Sequence, residues 1–398
     1  MVDKKDVANI FPLTPLQEGI LYRTLASGGG EYIMQSRLRL SGALDTESLE
    51  EAWNLLIARH EALRMLVAAE GAGRPLQVVL KQLRITIPVT DLSAMQESER
   101  AAVVDTFCRG EMDSGFALKH PPLLRLSLFR FSPLSHLLVM TFHHIIMDGW
   151  CQGILHDELI ACYRAARSKS KPELPPAPLF SSYVRYLSGI DSAAGVSFWQ
   201  AAMEGYEPGG ETSWMKEPSV QGSRYELRRC EFTLDSSLTD YLRDMAAGCG
   251  TTLNAAIQTL WGAALCRLSG KRDVAWGTVV SGRPPDLPRS DRTIGLFINT
   301  IPVRFRMEAG LSFRDALKAM GGFLSASMSH QNLPLAEVQR ACGAQGGLFD
   351  HLLIFENYPV SPEDATGRDG LSIMPETPLE GYTDYDLVFV VDAGDEIG

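Results

Sequence analysis

The chain has 398 residues, of which 45% are hydrophobic and 21% charged, the composition of an ordinary globular protein. This length exceeds the roughly 250–300 residues that one hydrophobic core serves, so we expect two lobes. A formal net charge of -11 and the lack of Lys/Arg runs argue against a nucleic-acid partner. A local basic patch that binds an acidic partner protein remains compatible with that charge.

Seven cysteines are scattered along the chain without any C-x-x-C pair, which argues against a zinc site and against a disulfide framework. Reduced thiols in a cytosolic protein are the simpler interpretation. The first residues lack the apolar core of a signal peptide, and no apolar run is long enough to span a bilayer. The sequence therefore predicts a cytoplasmic protein.

The first elements are a capped helix, a strand and a long helix. Thr14 and Gln17 fit a capping box with Pro15 at the first helical position, which predicts a helix to about residue 26. Residues 36–40 have the pattern of a strand, and residues 45–67 follow a helical apolar stripe. His60 on that stripe is interpreted as a core histidine rather than a ligand.

A hairpin of two strands, residues 123–131 and 136–142, runs into the sequence His-His-Ile-Ile-Met-Asp-Gly at 143–149. A helix over about 151–166 follows. Because side chains alternate along a strand, His143 and His144 should point in opposite directions. One histidine can then face a cavity while the other packs, and a loop leaving a strand end is a usual place for catalytic groups.

A proline-rich passage at 172–178 is the best linker candidate, so we place the lobe boundary between residues 178 and 179. The predicted lobes are residues 1–178 and 179–398. In the second lobe, helices and strands alternate, which gives an α/β class. The predicted helices are segments within 182–203 and residues 237–247, 253–268 and 312–328, and the strands are 224–234, 274–280, 300–305, 352–355 and 387–391.

The sequence at 143–149 resembles the HHxxxDG signature of condensation domains of nonribosomal peptide synthetases, which belong to the chloramphenicol-acetyltransferase-like acyltransferases. Four further matches follow the family order. They are FPLTPLQEG at 11–19, RHEALR at 59–64, IGLFINT at 294–300 and FENYP at 355–359.

The resemblance implies two chloramphenicol-acetyltransferase-like lobes in a V-shaped pseudo-dimer with a central substrate channel. Family members usually continue for some tens of residues beyond this point, so we expect the second lobe to lack its final elements. The implied reaction joins an upstream peptidyl-carrier thioester to the amine of a downstream aminoacyl-carrier thioester. The implied partners are those two carriers and neighbouring synthetase domains. The 4'-phosphopantetheine arms belong to the carriers, so the chain needs no cofactor of its own, and we expect it to be a monomer.

By the same resemblance, His144 is the catalytic histidine, and it either takes the proton of the acceptor amine or holds that amine by a hydrogen bond. His143 is then structural. Asp148 makes an ion pair that fixes the loop, with Arg64 or Arg283 as its partner. Gly149 lets the backbone approach the reacting centre, where its N–H is a candidate donor to the oxyanion.

Three further residues are candidates for the channel lining: Trp150, Ser281 and Asn299. Trp150 is interpreted first as a packing anchor. The sequence around Thr14 and Met147 resembles the subtype that joins a donor with a D-configured end to an L-amino acid.

Other chemistries fit the residues less well. Two histidines and an aspartate could bind a metal, but adjacent histidines on a strand face opposite ways. Without the other motif matches, two buried histidines with satisfied hydrogen bonds would explain the pair as well as a catalytic role does. A G-x-S-x-G esterase turn and a G-x-x-x-x-G-K-[ST] phosphate loop are both missing from the sequence.

Two related functions stay open. A terminal condensation-like domain that cyclises and releases the peptide would use the same motif. A non-catalytic relative that recruits a tailoring enzyme would show a degenerate motif, whereas this one is intact from His143 to Gly149.

Overall fold

The computed structural model describes residues 3–27, 31–69, 73–212, 229–344, 346–356, 370–381, 385, 387–394 and 397–398. The chain forms two compact units, and it passes between them several times. The first unit comprises Met1–Gly189, Arg283–Phe297 and Tyr358–Thr383, and the second comprises Ile190–Gly282, Ile298–Asn357 and Asp384–Gly398. The division into lobes at residues 178 and 179 stays a prediction.

The first unit contains helices and mainly antiparallel strands. Its strands are β1 (Val7–Pro12), β2 (Ile33–Ser41), β3 (Met65–Ala68), β4 (Leu76–Leu80), β5 (Val89–Asp91), β6 (Leu124–Ser132), β7 (Ser135–His143) and, after a long interval, β11 (Ser372–Gly381). Its helices are α1 (Pro15–Ser27), α2 (Thr46–Arg59), α3 (Glu97–Ser114), α4 (Trp150–Arg167) and α5 (Phe180–Ser188).

Strand β7 lies in the middle of a five-stranded sheet with the order β11-β2-β7-β6-β5. It pairs antiparallel with β2 and β6, and it is buried from His136 to His143. A strand that is covered on both faces reads as a continuous apolar run, which explains the segment Leu137–Phe142. A second sheet has the order β1-β4-β3. The burial of β7 gives the loop that follows it a rigid base.

The second unit has one sheet, in the order β12-β10-β8-β9. Its strands are β8 (Asp273–Val280), β9 (Asn299–Arg306), β10 (His351–Glu356) and β12 (Leu387–Asp392). Its helices are α6 (Ser192–Met203), α7 (Ser236–Gly248), α8 (Leu253–Ser269), α9 (Phe313–Ser327) and α10 (Leu335–Ala341). Helix α8 starts at the cap Thr252 and ends at Gly270, whose φ is 73°, as its sequence predicts.

The predicted helix over 45–67 is too long, because α2 ends at Arg59. His60 has extended backbone angles, a short 3₁₀ turn covers Glu61–Arg64, and β3 begins at Met65. Strand β3 pairs with β4, for instance Leu66 with Val78, and this pairing outweighs the helical propensity of the segment. The carboxylate of Glu61 is also buried and accepts hydrogen bonds from Asn9 and the N–H of Ser181.

The predicted strand over 224–234 is wrong where the chain is described. Residues 224–228 lie outside the described residues, and 229–233 form no strand. Leu234 makes only an isolated bridge to Ile397. The sequence patterns predict none of the elements β1, β3, β4, β5, α3, α10 and β11. Among the described residues, no helix is long and apolar enough to cross a membrane.

Candidate active site in the loop after strand β7

His143 is the last residue of β7 and is fully buried. Its Nδ1 accepts a hydrogen bond from the N–H of Ile145 at 3.1 Å, and its Nε2 lies 3.3 Å from the hydroxyl of Thr24. Since Nδ1 accepts from a backbone N–H, the ring proton must be on Nε2. Burial, and then the neighbouring His144, lower the pKa of His143 from 6.5 to about 3. His143 is therefore a neutral group that holds the loop.

His144 is only partly buried and has the opposite tautomer. Its Nδ1 lies 2.9 Å from the carbonyl oxygen of Met147, which can only accept, so Nδ1 carries the proton. The lone pair then lies on Nε2, which makes no hydrogen bond within the described residues. This imidazole can accept a proton or a hydrogen bond from an incoming N–H group.

Asp148 is fully buried and makes an ion pair with Arg283. Its Oδ1 accepts from Nη2 of Arg283 at 3.0 Å, and its Oδ2 accepts from the N–H of Phe297 at 2.8 Å. Nη1 of Arg283 donates to the carbonyls of Ser290 and Thr293 at 2.5 and 2.8 Å. Burial alone would lower the pKa of Arg283, but Asp148 reverses this and the pKa is raised.

Of the two arginines proposed as the partner of Asp148, Arg283 makes the ion pair. Arg64 is half-buried and donates instead to the carbonyl of Leu80. Burial lowers the pKa of Arg64, and Glu61 partly offsets this. The sequence left the choice between the two arginines open, and the partner that the structure shows lies 135 residues from Asp148.

Cys151 lies beside the ion pair and is fully buried. Its Sγ is 3.3 Å from Oδ1 of Asp148 and 3.3 Å from the carbonyl oxygen of Gly295. Burial, reinforced by Asp148, raises the pKa of the thiol to about 12. The thiol is therefore protonated at neutral pH and is not a nucleophile.

Gly149 and Trp150 begin helix α4. Gly149 has φ -60° and ψ -33°, which any residue adopts, so backbone strain does not require glycine there. Within the described part of the chain its N–H makes no hydrogen bond, as expected at a helix start. Trp150 donates from Nε1 to the carbonyl of Asp291 at 2.9 Å, and the guanidinium of Arg283 lies 5.5 Å from its ring. These contacts fit a packing anchor.

Ser281 and Asn299 belong to the second unit. Ser281 is exposed. The side-chain amide of Asn299 donates to the carbonyls of Gln331 and Leu333 at 2.7 and 2.8 Å, which ties β9 to a neighbouring turn. Their role as lining residues stays a prediction.

Sequence reasoning missed three contributions to this loop. The N–H of Phe297 donates to Asp148. From α1, the side-chain amide of Gln17 donates to the carbonyl of Ile145, and the hydroxyl of Thr24 lies within hydrogen-bonding distance of His143. The only sequence signal for Gln17 and Thr24 was that α1, which contains both residues, overlaps the FPLTPLQEG match at 11–19. The described residues contain no group of three or more His, Cys, Asp or Glu side chains that could hold a metal ion.

We expect Gly295→Ala to destabilise the protein by about 1–3 kcal/mol, because it overpacks the loop that carries Phe297. A Cβ at Gly295 would lie 2.0 Å from Cδ2 of Phe180, which stacks edge-on against Phe297. Urea unfolding measures the loss. Gly322→Ala is the matched control, since its Cβ would meet no atom within 4 Å. Equal midpoints for native protein and Gly295→Ala would contradict the packing argument.

Known proteins and a family model match this chain along nearly its whole length. A family model described as "Condensation domain" matches residues 7–397. Tyrocidine synthase 2 of Brevibacillus parabrevis is 33% identical over 399 residues, or 99% of this chain and 11% of that protein. Surfactin synthase subunit 3 of Bacillus subtilis is 32% identical over 397 residues, or 99% of this chain and 31% of that protein. The chain thus spans less than a third of each of these relatives.

Solved structures share the fold. The first condensation domain of the calcium-dependent antibiotic synthetase, in complex with a substrate analogue, superposes with a TM-score of 0.78 at 22% identity. That match covers 98% of this chain and 90% of the other. The SgcC5 protein from Streptomyces globisporus gives a TM-score of 0.74 at 20% identity, covering 97% and 91% of the two chains.

Proposed function

Because this chain belongs to the condensation-domain family of nonribosomal peptide synthetases, we propose that it forms a peptide bond between two carrier-bound substrates. The donor is a peptidyl thioester on an upstream carrier, and the acceptor is the amine of an aminoacyl thioester on a downstream carrier. The observation that carries this proposal is the tautomer of His144, whose Nε2 lone pair is open while Nδ1–H is held by Met147.

Aminolysis of a thioester needs few catalytic groups besides this imidazole. The acceptor nitrogen attacks the thioester carbonyl, a C–N bond forms, and the C–S bond breaks to release the thiol of the donor arm. The nitrogen loses one proton, which ends on the departing sulfur: Nε2 of His144 receives it and passes it on, or holds the amine in line by a hydrogen bond while the proton reaches the sulfur. Because a thioester is already activated, placing the two substrates contributes much of the rate.

The oxyanion formed in the attack needs donors. We assign this role to the N–H of Gly149, which stands at the N-terminus of α4. The partial positive charge of a helix N-terminus adds to it. Asp148 and Arg283 act indirectly, by fixing the backbone between His144 and α4.

The partners follow from the reaction. The 4'-phosphopantetheine arms of the two carriers bring the substrates, and the chain supplies no cofactor of its own. We propose a cytoplasmic site of action within a larger assembly line, a monomeric domain, and the subtype that joins a D-configured donor to an L-acceptor. We also propose lobes divided between residues 178 and 179, and Trp150, Ser281 and Asn299 as residues that line the substrate path.

A single-turnover reaction tests the proposal. One carrier is loaded with a short peptidyl thioester and the other with an amino acid, and mass spectrometry follows the acceptor carrier after the chain is added. We expect the acceptor to gain the mass of the peptidyl group, faster with a D-configured donor end than with its L-epimer. Release of a cyclic peptide would favour the terminal-domain alternative. No transfer with either donor would contradict the proposal and favour a recruiting role.

A further inference from the structure

A buried pair of amide side chains also holds the loop after β7. Gln17 of α1 and Gln77 of β4 are both fully buried and bind each other twice. Nε2 of Gln17 donates to Oε1 of Gln77 at 3.1 Å, and Nε2 of Gln77 donates to Oε1 of Gln17 at 2.8 Å. The second proton on Nε2 of Gln17 binds the carbonyl oxygen of Ile145 at 2.9 Å.

The orientation of the Gln17 amide is fixed without ambiguity. Its Oε1 also accepts from the backbone N–H of Thr14 at 2.9 Å, and a backbone N–H can only donate. The oxygen must therefore face Thr14, which leaves the nitrogen facing Ile145. With two bonds at the oxygen and two at the nitrogen, all four hydrogen-bonding positions of Gln17 are used.

Ile145, which follows His144 directly, is consequently held at both backbone groups. Its N–H donates to Nδ1 of His143, and its carbonyl accepts from Gln17. The turn from this residue to Met147 sets the distance at which the Met147 carbonyl meets Nδ1 of His144. A change at the Ile145 carbonyl therefore moves the acceptor that decides which nitrogen of His144 carries the proton.

We propose that Gln17 is a positioning residue for His144, acting through the carbonyl of Ile145. Gln17 does not touch the reacting atoms; it holds the turn in which His144 presents Nε2. This inference rests on the proposed function for its effect on rate. Its effect on the tautomer of His144 can be measured without any substrate.

The test compares two variants that break the same amide pair. Gln17→Met removes the donor to Ile145, whereas Gln77→Met leaves that donor in place and still oriented by Thr14. Both leave buried polar groups unpaired, so both lower the unfolding midpoint. We expect only Gln17→Met to lower the single-turnover rate at saturating carriers, by about 10- to 100-fold, since a shift of about 1 Å can cost about 100-fold. The concentration of acceptor carrier that gives half the maximal rate stays unchanged.

The second readout is the tautomer of His144. In protein with ¹⁵N-labelled histidine, the ring nitrogen shifts report the fraction of His144 with the proton on Nδ1. We expect that fraction to be high in the native protein and in Gln77→Met, and reduced in Gln17→Met. If Gln17→Met does not fold, Gln17→Asn replaces it, because the amide stays polar but its side chain is one methylene shorter and ends short of the carbonyl of Ile145.

The outcomes separate the two proposals. Equal rates and equal tautomer fractions in Gln17→Met and Gln77→Met would overturn the role of Gln17. If the native chain transfers no acyl group, the proposed function fails; if His144→Ala transfers as fast as native protein, the role of His144 in the reaction fails. The tautomer measurement still decides the role of Gln17 in that case.

Discussion

Replacing Arg283 by methionine is expected to destabilise the protein by about 3–5 kcal/mol, because it leaves a buried carboxylate without its counter-ion. The side chains of Arg283 and Asp148 are 4% and 0% exposed. The guanidinium also satisfies the carbonyls of Ser290 and Thr293, which lose their donor in the variant. The N–H of Phe297 and the thiol of Cys151 remain as donors to Asp148, but neutral donors do not neutralise the charge.

Urea unfolding of native protein and variant measures this loss. The double variant Asp148→Asn with Arg283→Met should recover at least about 1 kcal/mol, since it removes the buried charge and keeps an acceptor for Phe297. Arg292→Met is the matched control: its pair with Asp157 is 41% and 30% exposed, so we expect a change of about 0–1 kcal/mol. A double variant no more stable than Arg283→Met alone would contradict the assignment.

The second large effect is a loss of stability in mild acid that His143 causes. The folded protein holds the pKa of His143 at about 3, against 6.5 as its ordinary value, so only the unfolded chain takes up the proton in between. The contribution is fully present above pH 6.5 and is lost as the pH falls toward 3. One unit of pKa corresponds to about 1.4 kcal/mol, which gives about 1 kcal/mol lost between pH 7 and 5.5 and about 4 kcal/mol by pH 3.

His143→Asn isolates that contribution. The asparagine oxygen can replace Nδ1 as the acceptor for the N–H of Ile145, and it does not titrate in this range. We expect the free energy of unfolding of the variant to fall less than that of native protein between pH 7 and 5.5, by about 1 kcal/mol. Other groups, such as His136 with its burial-lowered pKa, contribute equally to both proteins. Parallel pH profiles would refute a buried, neutral His143.

Local patterns predicted the site well where the signal was local. Alternation predicted that His143 and His144 differ in their surroundings, and the structure buries His143 fully and His144 only partly. The capping box at Thr14 and Gln17 is present, with bonds of 2.9 and 3.3 Å. The α/β class and the family also follow from the sequence, because five motifs in order are a strong signal.

The predictions that were wrong or undecided depended on contacts between segments that are distant in the sequence. The helix predicted to run to residue 67 stops at Arg59 because β3 pairs with β4, and periodicity alone does not reveal a strand partner. The choice between Arg64 and Arg283 could not be made, since either guanidinium suits a carboxylate. The hydrogen bond from Gln17 to Ile145 was also not predicted, because it joins distant segments. The cap of Gln17 at Thr14 is three residues away, whereas Ile145 is 128 residues away.

The most direct test of a condensation catalyst centred on His144 is the single-turnover rate of His144→Ala beside that of native protein. Both carriers are loaded, and product is followed by mass spectrometry. A positioned base contributes about 10²- to 10⁴-fold, so we predict a fall within that range, with the unfolding midpoint nearly unchanged. Equal rates for the two proteins would contradict the account and leave His144 without a part in the reaction.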